Sequence, residues 1–481
     1  MLAAGLPTGY SRTECRASLH VAQGIRPHHA PGTLCSVLTL NEQAAAIASG
    51  DLSPVDLVDA ALSAVDRVQP VLNAFTAVLD EDARERATAM AGADPLGPLH
   101  GVPVAVKDLY DVAGLPTTGS CETYRERLAT TDSAVVQALR EAGAIIVAKT
   151  NQHELACGTT TQISCFGPAL NPWDTSRIPG GSSGGSGAAV AAGVVSMAMG
   201  SDTGGSIRIP SSYCGVTGLK PTHGSVSLRG AMPMTPSLDT CGPLAVSASD
   251  CILVHRVLCG LDPDDPYSRG DRPLDAPDGV AGLRVAVLNG WVDAATSETA
   301  EAVRTAARKL EELGCVMDEV DGPDIDGARD ALIPLLFAEV AHHYRDLWED
   351  DRVSPEIHFL IELGRQAPGA DYVRGREHGL RLRRDFEWAL TSADALLAPC
   401  TPHAAPSTKN ADLGANATRF TLPVNAAGLP SLAFPVGMSS DGLPLGAQLI
   451  GRDFSEEVIC ALGAAFQSAT DHHLKRPTSL G

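Results

Sequence analysis

The stretch PGGSSGGSGAAVAAGVVSMAMGSDTGGSIRIPSSYCGVTG, from Pro179 to Gly218, decides how the rest of the chain is read. It holds two glycine–serine clusters, Gly180 to Gly185 and Gly204 to Ser206, joined by an Ala-rich apolar segment. Glycines beside serines suit a backbone that comes close to a substrate and turns its N–H groups toward it. Ser182 precedes Ser206 by 24 positions, room for one helix and one strand that bring both loops to the same sheet edge. A Gly/Ser linker would be polar throughout, whereas Ala188 to Met199 can fill a core.

Within this stretch, Ala188 to Val195 reads as a helix of small residues and Ser196 to Ser201 as a buried strand. Ser206 then falls at a strand-to-helix bend, where successive N–H groups converge on an anion. Two other motifs are set aside. Gly180-x-Ser182-x-Gly184 has the spacing of a nucleophile elbow, but Asn171 to Pro179 is a loop with two prolines instead of the strand an elbow requires. A phosphate loop needs a Gly-Lys-Ser/Thr run, and no lysine is near.

GGSSGGS, then GSDTGGSIRIP, then CGVTGLKPT, preceded by the strand Val102 to Val106 with Lys107 at its end, resemble the amidase signature family in order and spacing. The resemblance runs from about Thr39 to about Pro477 and is weakest in the middle of the C-terminal half. It implies a single large α/β domain, a mixed β-sheet covered on both faces by α-helices. It implies a hydrolase with a Ser-cisSer-Lys triad: Ser206 as nucleophile, Ser182 as proton relay in a cis peptide with Ser183, and Lys107 as base. Backbone N–H groups of Thr203, Gly204, Gly205 and Ser206 would hold the oxyanion. Ser183, Asp202 and Arg208 would support the loop, and Leu155, Ala156 and Cys157 would stand in the substrate pocket wall. No metal or organic cofactor is implied. The substrate would be a small amide, carbamate or ester, with water. A GatA-like component of an amidotransferase complex shares the same three residues and is the alternative reading. A binding protein on a degenerate hydrolase fold is the third, and the intact lysine and serines speak against it.

Composition fits an ordinary soluble globular protein, with 44% apolar and 19% charged residues. A net charge of −21 leaves no basic field for nucleic acid. No window reaches the run of about 18 apolar residues of a membrane span. Twelve cysteines without a CxxC pair read as reduced thiols of a cytoplasmic protein. The chain is expected to be a monomer or homodimer. Only six of the 36 basic residues are lysines, so a lysine ending an apolar strand stands out.

Along the chain, residues 1–36 read as a loosely ordered arm and 37–477 as the domain. Its catalytic core spans about 95–250, a variable helical region about 250–395, and C-terminal strands and a helix about 395–470. Thr39 to Glu42 form a capping box, and Ser53 caps a second helix that starts at Pro54. Asp80 to Gly92 reads as a third helix. Thr131 or Asp132 caps a helix to Ala142, followed by the strand Ala144 to Lys149. Leu283 to Leu288 reads as a strand and Thr299 to Leu313 as an amphipathic helix. Ala395 to Pro399 is a strand, and the segments 420–430 and 442–451 supply the last strands of the sheet. His153 reads as a surface or loop histidine and His342-His343 as a helix-surface pair.

Overall fold

Both capping signals form as read. Thr39 and Glu42 close a full capping box on the helix Leu40–Ser49, which ends at the left-handed Gly50. Ser53 accepts from Val55 N–H and Pro54 opens the helix Pro54–Leu72. The computed structural model describes residues 38–270, 275–410 and 416–478, so the N-terminal arm of the sequence reading lies outside the described residues.

Among the described residues eleven strands follow in chain order. They are β1 (Phe75–Val78), β2 (Pro103–Lys107), β3 (Ile145–Thr150), β4 (Met197–Asp202), β5 (Thr217–Lys220) and β6 (Thr240–Ala245). Then come β7 (Arg284–Leu288), β8 (Val316–Val320), β9 (Ala395–Pro399), β10 (Ser431–Met438) and β11 (Pro444–Ile450). They form one mixed sheet in the order β1-β3-β2-β4-β6-β5-β10-β11-β9-β7-β8. Side-chain alternation explains the two helical layers. Val104, Val106, Met197 and Met199 point into one core, and Ala105, Ile145, Val147 and Ala198 into the other. The helices Ala134–Glu141, Ala248–Leu258, Ser297–Glu312 and Glu456–Ser468 cover the first face. Pro54–Leu72, Asp80–Met90 and Gly184–Ala191 cover part of the second. The chain is thus a single α/β domain with a mixed sheet between helices.

Several expectations shift. The helix expected at Ala188 begins at Gly184, inside the first glycine cluster, and ends at Ala191. Glycine is a poor helix former, but here it is required by packing: a Cβ on Gly185 would stand 2.4 Å from Asn151 O. The helix expected to be capped by Thr131 or Asp132 is capped by Ser133, which accepts from Val136 N–H. Residues 422–427 are helical, and β10 and β11, last in the chain, occupy the middle of the sheet. Among the described residues all ten cysteines are free, and no helix is long and apolar enough to cross a membrane.

Candidate active site

β2 and β4 run parallel as neighbours, with Val106 opposite Met199. Their carboxyl ends therefore deliver Lys107 and the Ser201-Asp202 pair to one edge of the sheet, where open α/β sheets place their sites. Lys107 is wholly buried. Its Nζ donates to Ser182 Oγ at 2.6 Å and to Ser201 Oγ at 2.9 Å. Burial lowers its pKa to about 7, against the opposing pull of Asp202 and Asp239.

The two glycine–serine loops meet here. Ser183 N–H donates to Ser206 O at 3.3 Å, and Thr161 Oγ1 donates to Gly180 O at 2.8 Å. The cis peptide lies between Gly181 and Ser182, not between Ser182 and Ser183 as expected. Cis geometry brings two Cα atoms to ~2.9 Å, and glycine puts no Cβ into that contact. Ser183 holds β4 instead, its Oγ donating to Ser201 O at 3.2 Å and accepting from Ser201 N–H at 3.3 Å.

Ser206 is 6% exposed and lines a cavity of about 540 Å³. Its loop is held from below by Asp202. That carboxylate accepts from Gly205 N–H at 2.7 Å, Ile207 N–H at 3.0 Å and the Arg208 guanidinium at 3.1 Å. Burial alone would raise its pKa, but Arg208 and its other partners hold it down to about 2. Arg208, equally buried, reaches on to Gln448 and to Asn425. From the helix Leu422–Ala427 and the residue before it, Asn425 Nδ2 donates to Asp202 Oδ1 at 2.8 Å and Thr421 Oγ1 to Gly204 O at 2.6 Å. Gly205 sits at φ 130°, and a Cβ there would strike Thr421 Oγ1 at 2.2 Å.

The Gly205 N–H, expected among the oxyanion donors, is spent on Asp202 and is not free for a ligand. Thr203, Gly204 and Ser206 N–H groups have no protein partner among the described residues. Thr203 also hydrogen-bonds Asp239 through its hydroxyl. In the pocket wall, Ala156 and Cys157 line the cavity but Leu155 does not. Leu155 and Ala156 have φ of 50° and 60°, and this turn sends Leu155 into a cluster with Cys121, Val340 and Leu347. His153, read as a surface or loop residue, is 2% exposed and lines the same cavity. Asn425 and Gln448 escaped the sequence reading because nothing local marks them; they come from the helix Leu422–Ala427 and from β11, far along the chain.

The buried Asp202–Arg208 pair yields a stability prediction. Arg208→Met leaves an uncompensated buried carboxylate and is expected to cost ~3–5 kcal/mol in urea unfolding. Adding Asp202→Asn to it should recover part of that loss. A double variant no more stable than Arg208→Met would mean the pair does not couple.

The sequence model of the family described as Amidase matches residues 56–460. A curated relative from Moorella thermoacetica, named as a component of glutamyl-tRNA(Gln) amidotransferase, is 39% identical over 86% of this chain and 92% of its own. A solved structure described as part of an unexpected vestigial protein complex, revealing the origins of an s-triazine catabolic enzyme, is 36% identical. It superposes with a TM-score of 0.85 over 90% of this chain and 98% of that one. A crystal structure described as an amidase is 32% identical with a TM-score of 0.81, over 90% of this chain and all of its own.

Proposed function

The chain belongs to the amidase family, and on that premise we propose that it hydrolyses a carboxamide-type C–N bond through an acyl-enzyme on Ser206. The observation that carries this reading is the 2.6 Å contact of a buried Lys107 with Ser182 beside the cavity that Ser206 lines. In its neutral form Lys107 takes the Ser182 proton while Ser182 takes that of Ser206, and Ser206 Oγ attacks the carbonyl carbon. The charge that develops on the carbonyl oxygen is met by N–H groups from Thr203, Gly204 and Ser206. The proton returns through Ser182 to the leaving amine, and water then cleaves the ester by the same relay. Carbamates and esters fit this chemistry as well as amides.

A second reading is favoured by the curated relatives: the chain is the amidase component of an amidotransferase, taking glutamine and working with partner proteins. Arg329 and Glu356, both on the cavity wall, supply the opposite charges a free amino acid would need. The test is release of ammonia or amine by the purified chain from aliphatic amides, anilides, carbamates, esters and L-glutamine. Turnover of simple amides by the chain alone supports the first reading. Turnover confined to glutamine, and only with added partner proteins, supports the second.

Nucleophile, base and oxyanion donors all come from the chain in this scheme. Prolonged dialysis against a chelator is therefore expected to leave turnover unchanged. Loss of activity that a divalent ion restores would refute the scheme.

A further inference from the structure

One wall of the cavity carries polar groups that the acyl-transfer scheme does not use. His153, on the loop after β3, is 2% exposed, and its Nε2 is buried without a hydrogen-bond partner among the described residues. Its Nδ1 lies 3.3 Å from the Thr160 hydroxyl, which can donate to it and leave the proton on Nε2. Gly158 makes the space for the ring: a Cβ there would stand 2.3 Å from His153 Cε1. Facing it is Glu356, from the helix Pro355–Gln366, with Oε1 3.5 Å from Nε2 and its side chain 45% exposed. The imidazole holds the Glu356 carboxyl below its ordinary range, yet no hydrogen bond closes between them. Both residues line the cavity that Ser206 lines.

At 3.5 Å the contact between His153 Nε2 and the Glu356 carboxylate is too long for a good hydrogen bond, so both groups keep capacity for a third partner. The pair presents one donor, His153 Nε2–H, beside one acceptor, the Glu356 carboxylate. The complement of a donor beside an acceptor is a carbonyl beside an N–H. The surroundings are largely apolar (Ile333, Leu336, Phe337, Leu360 and Met234), which suits a hydrocarbon spacer between that group and the scissile bond.

We infer that His153 and Glu356 form a specificity subsite for a second amide-like group, a carboxamide or ureido function carried by the substrate away from the bond that is cut. This inference rests on the proposed amide hydrolysis and narrows its substrate class. The pair holds the substrate and takes no part in bond making. One member comes from the loop after β3 and the other from the helix Pro355–Gln366 far along the chain.

The test compares primary diamides of three to six methylenes with matched ketoamides, in which the distal carboxamide becomes a methyl ketone. The ketone keeps the carbonyl and loses the N–H. Wild type is expected to prefer the diamide by about 10- to 100-fold in kcat/KM, mostly through KM. Glu356→Leu should bring that ratio close to one, and Glu356→Gln, which keeps an acceptor, should retain part of it. His153→Phe, which fills the same space without a donor, should raise KM for both compounds, because both keep the carbonyl, and leave the ratio largely in place. Binding of diamide over ketoamide to the Ser206→Ala protein, measured by calorimetry, reports the subsite without turnover. That binding preference in an enzyme that cuts neither compound would uphold the subsite and sink the hydrolytic reading. Hydrolysis of both compounds with equal kcat/KM, unaltered in Glu356→Leu, would overturn the subsite and leave hydrolysis standing. A preference for a distal ammonium over a carboxamide, lost in Glu356→Leu alone, would also overturn it and point to an amino-acid substrate.

Discussion

Ser206→Ala is expected to lose at least ~10³-fold in kcat, and a phosphonylating or sulfonylating reagent is expected to label Ser206 alone among the serines of the site. Ser182 and Ser183 are wholly buried, and their hydroxyls are committed to Lys107 and to β4. Ser206 lines the cavity and, unlike them, shows no side-chain hydrogen bond to protein among the described residues. Removing that oxygen therefore breaks no hydrogen bond that holds the fold. Unfolding of Ser206→Ala should match wild type within ~0.5 kcal/mol, so lost activity would report chemistry. Peptide mapping by mass spectrometry locates the label. A label on Ser182 or Ser183, with Ser206→Ala still turning over, would reassign the nucleophile.

What could be read before folding was whatever is local. The capping box at Thr39, the Ser53 cap, the Gly-rich bends and the apolar strands carry their signals within a few residues, and so does the run of Ser201 to Ser206. β5 and β6 escaped because TGLK is four residues long and TCGPLA holds a glycine and a proline, without alternation. The early start of the helix at Gly184 ran against propensity, which close packing on Asn151 overrode. The central place of β10 and β11 is a matter of sheet order, and adjacency in sequence gives no hint of it. His153 and Glu356 are 203 positions apart, so their meeting was out of reach. The scarcity of lysine was a weaker argument than it looked. Lys149 and Lys220 are also buried, the first paired with Asp108 and the second donating to Pro221 O. Lys149 also donates to a hydroxyl, Thr117 Oγ1 at 3.0 Å, but what separates Lys107 is that its hydroxyl, Ser182 Oγ, belongs to the loop that meets the Ser206 loop.

That distinction makes the pH dependence of Lys107 the sharpest test of its role as base. A free lysine, at ~10.4, would be almost wholly charged at neutral pH; burial brings Lys107 to about 7. If its neutral form accepts the proton, kcat/KM should rise along a single limb centred near 7 and level off on the alkaline side. Lys107→Ala should lose most activity, and Lys107→Arg should be as inactive, because guanidinium does not give up its proton. Stability must move in a linked way. The unfolded chain binds the proton more tightly than the folded one between about 7 and ~10.4, so the buried lysine opposes folding increasingly as pH falls through that window. The cost reaches its full value below the folded pKa and vanishes above the unfolded one. The stability of Lys107→Met relative to wild type should therefore grow on acidification by up to ~1.4 kcal/mol per pH unit in that window, then stay level. Lys220, also brought to about 7 by burial, is the control. Lys220→Met should change the pH dependence of stability in the same direction and leave the limb of kcat/KM in place. Substantial turnover by Lys107→Arg with the wild-type pH profile would make Lys107 a positioning group and send the search for the base elsewhere.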